Sequence, residues 1–195
     1  MKYSIGKSSG VFIGEDSVVK IFNIRGKTIK AARGSYKLCW LREKTCLERL
    51  AGKLHFPQLL EAYEDHLGLR ITACGESLFD TWQEHKLDNY IDQAHAIADA
   101  LEEAQIQYFY PGMDPNSKNK QYIKFPLSNF CIEDGELSLI DFELANPVDS
   151  SAEKQMSKRL RFLYDNYNTE HFRQSLVNEL ITPKECYEAK LMQKL

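Results

Sequence analysis

The segment at residues 129–145 constrains the fold of this chain more than any other. Its sequence, NFCIEDGELSLIDFELA, holds two apolar runs separated by Asp134-Gly135, a dipeptide that favours a two-residue turn between antiparallel strands. The pattern predicts a β-hairpin that brings Asn129 and Asp141 to the same end, although they are twelve residues apart. Amide and carboxylate oxygens that converge in this way suit Mg²⁺. The segment therefore predicts a divalent-metal site and nucleotide chemistry, and the alternative is an ordinary surface hairpin.

Composition bounds the class of protein. The chain has 195 residues, of which 43% are hydrophobic and 27% charged, a balance typical of a globular protein with one domain or two small lobes. The net charge of −3 gives no reason to expect binding to nucleic acid or to an anionic membrane. No apolar stretch approaches the roughly 18 residues of a membrane span, and no signal peptide is visible. We expect a cytoplasmic protein, or one delivered into a host cytosol.

Cysteine and histidine spacing excludes two other classes of site. The five cysteines are odd in number and show no CxxC spacing, so neither a disulfide scaffold nor a zinc site is indicated. The five histidines are isolated, with no HExxH motif, which gives metallohydrolase chemistry no support. The aromatic run at 108–110 lacks a basic surround, so core packing is favoured over a stacking platform for nucleic acid.

Apolar patterning predicts a chain that begins with strands and then turns helical. Short apolar runs bounded by Gly, Ser and Asp predict strands, and apolar residues at helical spacing predict helices. The predicted strands cover residues 3–5, 11–13, 18–22, 59–63 and 69–72, and the predicted helices cover residues 35–54, 88–105, 153–167 and 170–180. We therefore expect a small antiparallel sheet with one helix, followed by a mostly helical part.

Two parts of this kind, with a metal-binding hairpin in the helical one, resemble the protein-kinase-like fold over nearly the whole chain. The resemblance implies an α+β, two-lobed architecture. Its N-lobe would be residues 1–75, a small antiparallel sheet plus one helix that binds nucleotide. Its C-lobe would be residues 76–195, reduced, mostly helical and carrying the metal hairpin. The two lobes would form one functional unit.

The segment IGKSSGVFIGEDSVVKIF resembles the glycine-rich loop and lysine strand of that family. Lys20 matches the lysine that binds nucleotide phosphates, and its four nearest neighbours are apolar, so the ammonium requires an anionic partner. The alternative is a solvated strand lysine. The residues whose backbone amides would approach the phosphates are Gly6, Ser8, Ser9 and Gly10.

The anionic partner and the adenine site are implied by two further segments. REKTCLERL resembles the helix whose Glu pairs with that lysine, which implies Glu43, with Glu48 as the rival and an exposed helix carboxylate as the alternative. LRITACGESL resembles the last small-lobe strand and the interlobe hinge. Its backbone groups at Thr72, Ala73 and Cys74 would meet the adenine edge.

The metal motif is the strongest part of the resemblance, and the catalytic loop is the weakest. Asp-Phe-Glu at 141–143 resembles the choline-kinase and aminoglycoside-kinase branch, which implies Asn129 and Asp141 as metal residues. Five residues before that Asn the family has a catalytic Asp, but this chain has Lys124, which would instead add positive charge near the phosphates. Counting from the preceding helix brings the loop to 108–110, so we infer an insertion over about 111–121. Asp114 within it is either a substitute base or a turn residue.

The resemblance implies a phosphotransferase that uses ATP and Mg²⁺ or Mn²⁺ and acts on a hydroxyl of a protein or a small molecule. With only a short stretch after Asp141, the chain resembles the reduced kinases found among bacterial effectors and the small bacterial kinase-like proteins. The rival hypothesis is a pseudokinase, a binding or regulatory module on the same scaffold with weak or lost catalysis. Nucleotide is the expected partner, and the phosphoacceptor stays open.

Overall fold

The described part of the chain starts with three strands, and helices are then interspersed among further short strands. The computed structural model describes residues 2–5, 9–22, 35–81, 89–108, 129–155, 169–170, 172–174 and 176. The strands are β1 (Lys2–Ile5), β2 (Ser9–Ile13), β3 (Ser17–Phe22), β4 (Leu59–Tyr63), β5 (Gly68–Thr72), β6 (Glu76–Ser77), β7 (Ile106–Gln107), β8 (Phe130–Glu133), β9 (Glu136–Leu139) and β10 (Asn146–Pro147). The helices are α1 (Tyr36–Arg49), α2 (Leu78–Thr81), α3 (Tyr90–Glu103) and α4 (Ser151–Lys154), and the described residues of 169–176 are also helical.

The first sheet is antiparallel and has the strand order β1-β2-β3-β5-β4. Alternation along β3 buries Lys20 and Phe22 on one face, and α1 contacts β3, β4 and β5. The core between helix and sheet includes Phe22, Leu47 and Leu69, each at most 1% exposed. Because side chains alternate across a strand, Lys20 is carried into this apolar layer with Phe22.

Helix α1 is shorter than its leucine spacing predicts. Ser35 caps its start, where the hydroxyl accepts a hydrogen bond from the Leu38 N–H. The helix ends at Arg49, and Gly52 then adopts a left-handed φ of 75° that a helix cannot continue through. The predicted end at Leu54 was therefore wrong, since Leu54 lies beyond this turn and is 80% exposed.

The hairpin that the sequence predicts is present. Strands β8 and β9 pair antiparallel from Phe130 with Leu139 to Glu133 with Glu136. Asp134 and Gly135 have φ values of 51° and 84°, and two left-handed residues are what the favoured two-residue turn requires. Strand β6 adds to the free edge of β8, so the chain passes from the first sheet to this one between Thr72 and Glu76.

Several predicted features are met only in part by the described residues. Helix α3 covers 90–103 of the predicted 88–105, and α4 covers only Ser151–Lys154, ahead of the predicted start at 153. The rest of the predicted helix to 167 lies outside the described residues, as does the proposed insertion at 111–121. Gly6, Ser8, Asp114 and Lys124 also lie outside them.

The second part packs around α3 and the hairpin. The helix buries Ala94, Ile97, Ala98 and Leu101, which share one face and belong to the same core as β8 and β9. The four cysteines that the structure describes are free thiols. No helix among the described residues combines the length and the apolar character that a membrane span requires.

Candidate active site

The ammonium of Lys20 joins three elements that are far apart in sequence. Its Nζ lies 2.6 Å from Oε2 of Glu43 on α1 and 2.8 Å from Oδ1 of Asp141, which follows β9. It also lies 5.2 Å from the centre of the Phe22 ring. Lys20 is only 7% exposed, so the first sheet, α1 and the hairpin segment meet at one buried cation.

Helix geometry determines which glutamate reaches Lys20. Glu43 is four residues after Cys39 and four before Leu47, and all three are buried on the face that α1 turns towards the sheet. Glu48, the rival from the sequence, instead pairs with Lys44 at 2.6 Å on the exposed side of the helix. The structure thus brings Glu43, and not Glu48, to Lys20.

Among the described residues, more acidic than basic side chains act on this site. Burial alone lowers the pKa of the Lys20 amine, but the charges of Asp141, Glu43 and Glu143 outweigh it and hold that pKa above its ordinary value. Burial raises the pKa of the Glu43 carboxyl to about 7; Lys20 opposes the rise, while Asp141 and Glu143 add to it. Among the described residues, three carboxyl groups act on this one ammonium, and a bound cation would reduce their mutual repulsion.

Asp141 is the acidic group at this site that solvent reaches. Its side chain is 39% exposed, whereas that of Glu43 is 3% exposed. Its backbone has a left-handed φ of 68°, which Asp tolerates better than most residues and which is often found at functional sites. The next residue, Phe142, is fully buried in the core and anchors this conformation.

One hydroxyl connects Asn129 to Asp141. The Tyr108 oxygen lies 2.7 Å from the carbonyl oxygen of Ile140, 3.1 Å from that of Asp141 and 2.8 Å from Nδ2 of Asn129. The Ile140 N–H also donates to the Asn129 carbonyl at 2.8 Å. The two residues that the sequence assigns to a metal are therefore held side by side.

Sequence reasoning assigned Tyr108 to core packing and missed this role. The ring is indeed buried, 1% exposed, with its edge against Phe142 and a tilted contact with Phe172. A buried tyrosine needs a hydrogen-bond partner for its hydroxyl, and this requirement was the available signal. Tyr108 also lies in the region where counting from the preceding helix places the catalytic loop, which was a second signal of a role at the site.

Two backbone N–H groups of the predicted adenine segment already donate hydrogen bonds to backbone carbonyls. The Thr72 N–H donates to the Gln58 carbonyl, and the Ala73 N–H donates to the Asp16 carbonyl at 3.2 Å. An adenine edge at this segment would therefore use the carbonyl groups or the N–H of Cys74. Burial raises the pKa of the Cys74 thiol, which keeps it protonated at neutral pH.

Two of the predicted phosphate-loop residues lie at the start of β2, and Gly6 and Ser8 lie outside the described residues. Ser9 and Gly10 lie in β2, paired with Phe22 and Ile21 of β3, and both are buried. Ser9 and Gly10 therefore lie in the same sheet as Lys20.

Oxygen donors characterise the candidate metal position. Among the described residues, no three His, Cys, Asp or Glu side chains form a group that could hold a metal ion. The amide of Asn129 and the carboxylate of Asp141 could each offer one oxygen ligand, and such a two-ligand set would fit Mg²⁺, which usually keeps waters and shares substrate phosphates.

Comparison with known proteins identifies the fold. No family model and no curated protein matches the sequence. Among solved structures, the chain is similar to the bifunctional kinase-methyltransferase WbdD, with a TM-score of 0.50 and 16% identity over 90% of this chain and 43% of that one. The chain thus spans less than half the length of that protein. It is also similar to the Rio2 kinase of Chaetomium thermophilum, solved as an ADP/Mg²⁺-phosphoaspartate complex, with a TM-score of 0.47 and 12% identity over 94% and 70% of the chains.

The second likeness is too distant to support an argument, and the first shows the fold. That likeness covers nine tenths of this chain. The predicted fold class is therefore confirmed: the protein has an α+β, two-lobed protein-kinase-like fold.

Proposed function

We propose that the protein is a kinase-like phosphotransferase that uses ATP with Mg²⁺ or Mn²⁺. The observation that carries the proposal is the position of Lys20, whose ammonium lies 2.6 Å from Glu43 and 2.8 Å from Asp141. A buried cation placed between a supporting carboxylate and a solvent-reached carboxylate is suited to bind a triphosphate next to a metal. Residues 1–75 would act as the nucleotide lobe and 76–195 as the catalytic lobe of one unit.

Lys20 would bind the α- and β-phosphates while Glu43 holds it in place. Burial supports this assignment, because a charged amine in an apolar layer needs anions around it. Backbone amides of Gly6, Ser8, Ser9 and Gly10 would border the phosphates, and the segment Thr72–Cys74 would contact the adenine edge.

Asn129 and Asp141 would hold the divalent cation. The excess of carboxylates around Lys20 supports a cation there, and the shared contact with Tyr108 keeps the two residues together. When bound, the metal would neutralise charge on the phosphates.

The transfer would be an in-line displacement on the γ-phosphorus. The acceptor hydroxyl oxygen forms a bond to phosphorus, the bond to the β,γ-bridging oxygen breaks, and ADP leaves. The hydroxyl proton passes to Asp114 or to solvent, because a protonated Lys124 cannot accept it. Positioning and charge stabilisation supply most of the acceleration in such reactions, so loss of the usual base slows transfer without abolishing it.

A nucleotide-binding module without transfer is the second candidate function. Lys124 at the position of the usual catalytic Asp is the observation that favours it. With either function, the protein would act in a cytosol, that of the producing cell or that of a host. Free thiols suit such a reducing compartment.

Thermal melting tests the nucleotide site directly. A ligand that binds only the folded protein raises the melting midpoint, so ATP with Mn²⁺ or Mg²⁺ is expected to stabilise the wild type. Asp141→Asn retains tolerance of the left-handed backbone and removes the charge, so it should lose the metal-dependent part of the shift. Asp134→Asn is the matched control, because Asp134 is also left-handed, at φ 51°, but lies in the hairpin turn.

Lys20→Ala should weaken stabilisation by ATP with or without metal. Lys44→Ala removes an ion pair of the same 2.6 Å length on the exposed side of α1 and should behave as wild type. No shift with ATP under either metal would remove the nucleotide proposal. If the wild type binds nucleotide, a transfer assay with labelled phosphate separates the two candidates. Transfer that is abolished by Asp141→Asn identifies an enzyme, and binding without any transfer identifies the binding module.

A further inference from the structure

We propose that Tyr108 is a positioning residue that determines which atom of Asn129 faces the metal. The inference rests on the proposed function, because it concerns the same cation site. Its basis is the hydrogen-bond chain that runs from Asn129 through the Tyr108 hydroxyl to the backbone of Ile140 and Asp141.

The direction of that chain follows from the number of hydrogens available. A tyrosine hydroxyl has one hydrogen, and the carbonyl oxygens of Ile140 and Asp141, at 2.7 Å and 3.1 Å, can only accept. The hydrogen is therefore directed to the backbone, and the oxygen can only accept from Asn129. Asn129 must then present its NH₂ group, and its Nδ2 lies at 2.8 Å.

Fixing the nitrogen also fixes the oxygen. The two branches of an amide are similar in shape, so packing alone distinguishes them poorly, and hydrogen bonding sets the choice. With Nδ2 turned to Tyr108, Oδ1 occupies the other branch, which makes the oxygen the group that a cation would meet. A rotated amide would present NH₂, which cannot bind a cation.

The hydroxyl itself is held rigidly. The Tyr108 ring is 1% exposed and contacts Phe142 at 5.3 Å and Phe172 at 6.1 Å between ring centres. The main chain of Asn129 is held separately by the Ile140 N–H. Tyr108→Phe therefore keeps the ring contacts and the backbone bond and removes the hydroxyl that accepts from the amide.

A double-mutant cycle tests the inference. Asn129→Asp replaces the amide by a carboxylate whose two branches are both oxygen, so its metal binding does not depend on orientation. We would measure the dissociation constant of Mn²⁺, alone and with ATP, by electron paramagnetic resonance in wild type, Tyr108→Phe, Asn129→Asp and the double variant. Tyr108→Phe should weaken Mn²⁺ binding about tenfold, as loss of such supporting hydrogen bonds commonly does. When Asn129→Asp is already present, adding Tyr108→Phe should weaken binding by much less than it does in the wild type.

The inference is overturned if Tyr108→Phe weakens Mn²⁺ binding equally with Asn129 and in the Asn129→Asp background, since a purely structural hydroxyl would act alike in both. It is also overturned if Tyr108→Phe does not weaken Mn²⁺ binding when Asn129 is present. Wild type that binds no Mn²⁺ under any condition overturns the proposed function as well, so the two failures are distinguishable. The melting midpoint without metal reports on folding of each variant. An independent readout on the wild type is the nuclear Overhauser contact between the Asn129 amide protons and the Tyr108 ring, whose absence also overturns the inference.

Discussion

At the scale of single residues, Gly75 occupies a position that has no room for a side chain. It lies where the chain passes from the first sheet to the hairpin, with a left-handed φ of 76°. A Cβ there would lie 2.2 Å from the Ile132 carbonyl oxygen and 2.7 Å from the Glu133 Cβ. Both neighbours belong to β8, so the absence of a side chain lets the connection between the lobes run directly over the strand that follows Asn129.

Gly75→Ala is expected to destabilise the protein more than Gly52→Ala. Gly52 has nearly the same φ, 75°, but no atom within 4 Å of a Cβ, so its substitution reports the backbone cost alone, about 1–2 kcal/mol. At Gly75 the clash with β8 adds about 1–3 kcal/mol. Urea denaturation of the two variants measures the difference in unfolding free energy. Equal losses would show that β8 shifts to accommodate the added methyl group without loss of stability.

At the scale of elements, one buried side chain fastens the hairpin to α3. Gln93 is 4% exposed, its Oε1 accepts from the Leu137 N–H at 2.7 Å, and its Nε2 donates to the Gly135 carbonyl at 2.9 Å. The hairpin's turn and second strand are thus both bonded to a helix that lies elsewhere in the sequence. This attachment contributes to holding the Asn129 and Asp141 ends in place.

Gln93→Leu is expected to cost about 1–3 kcal/mol of unfolding free energy, because it leaves the buried Leu137 N–H without its acceptor. Gln155→Leu is the control, since the Gln155 amide donates to a nearby carbonyl at the exposed end of α4. Chemical denaturation checks both variants. A loss at Gln93 no larger than that at Gln155 would contradict a role in fastening the hairpin.

Elements defined by local patterns were predictable from the sequence, whereas contacts between distant elements were either implied by the family resemblance or missed. The hairpin follows from two apolar runs and Asp134-Gly135, all of them local signals. The end of α1 was missed because Leu54 continues the leucine spacing although Gly52 has already turned the chain.

At the candidate site the same distinction applies. The family resemblance implied Glu43 as the partner of Lys20 with Glu48 as the rival, and the face that α1 buries distinguishes them. The contact between Lys20 and Asp141 joins residues 121 positions apart, and no local pattern encodes it. The Tyr108 hydroxyl was missed for the same reason, because Asn129, Ile140 and Asp141 meet it only in the folded chain.

At the scale of the whole molecule, two basic side chains connect parts of the fold that form the site. Arg49 at the end of α1 donates to the carbonyls of Ala104, Gln105 and Val148, which ties the helix to the connection after α3 and to the residue after β10. Lys20 makes the second connection, at the site itself. The proposed ligand at Lys20 and Asp141 would act on the contact that joins the first sheet to the hairpin, which would couple occupancy to global stability.

The raised pKa of Glu43 predicts that the stability of the protein depends on pH. The pKa of Glu43 is raised from an ordinary 4.5 to about 7 by burial, so the folded protein binds more protons than the unfolded chain between these values. The contribution of Glu43 to stability is then fully present below about pH 4.5 and is lost as pH rises through about 7. Without ligand, wild type should lose stability relative to Glu43→Gln between about pH 5 and about pH 8, which chemical denaturation across that range measures.

A divalent cation held by Asn129 and Asp141 adds positive charge that favours ionised Glu43, so binding below about pH 7 must release a proton. Stabilisation by Mn²⁺ with ATP should therefore be larger at about pH 8 than at about pH 6, and Glu43→Gln should reduce that difference. Melting midpoints at the two pH values measure it, and the variant corrects for ionisation of ATP, which is common to both proteins. A pH dependence identical in wild type and Glu43→Gln would mean that Glu43 does not exchange a proton when the cation binds.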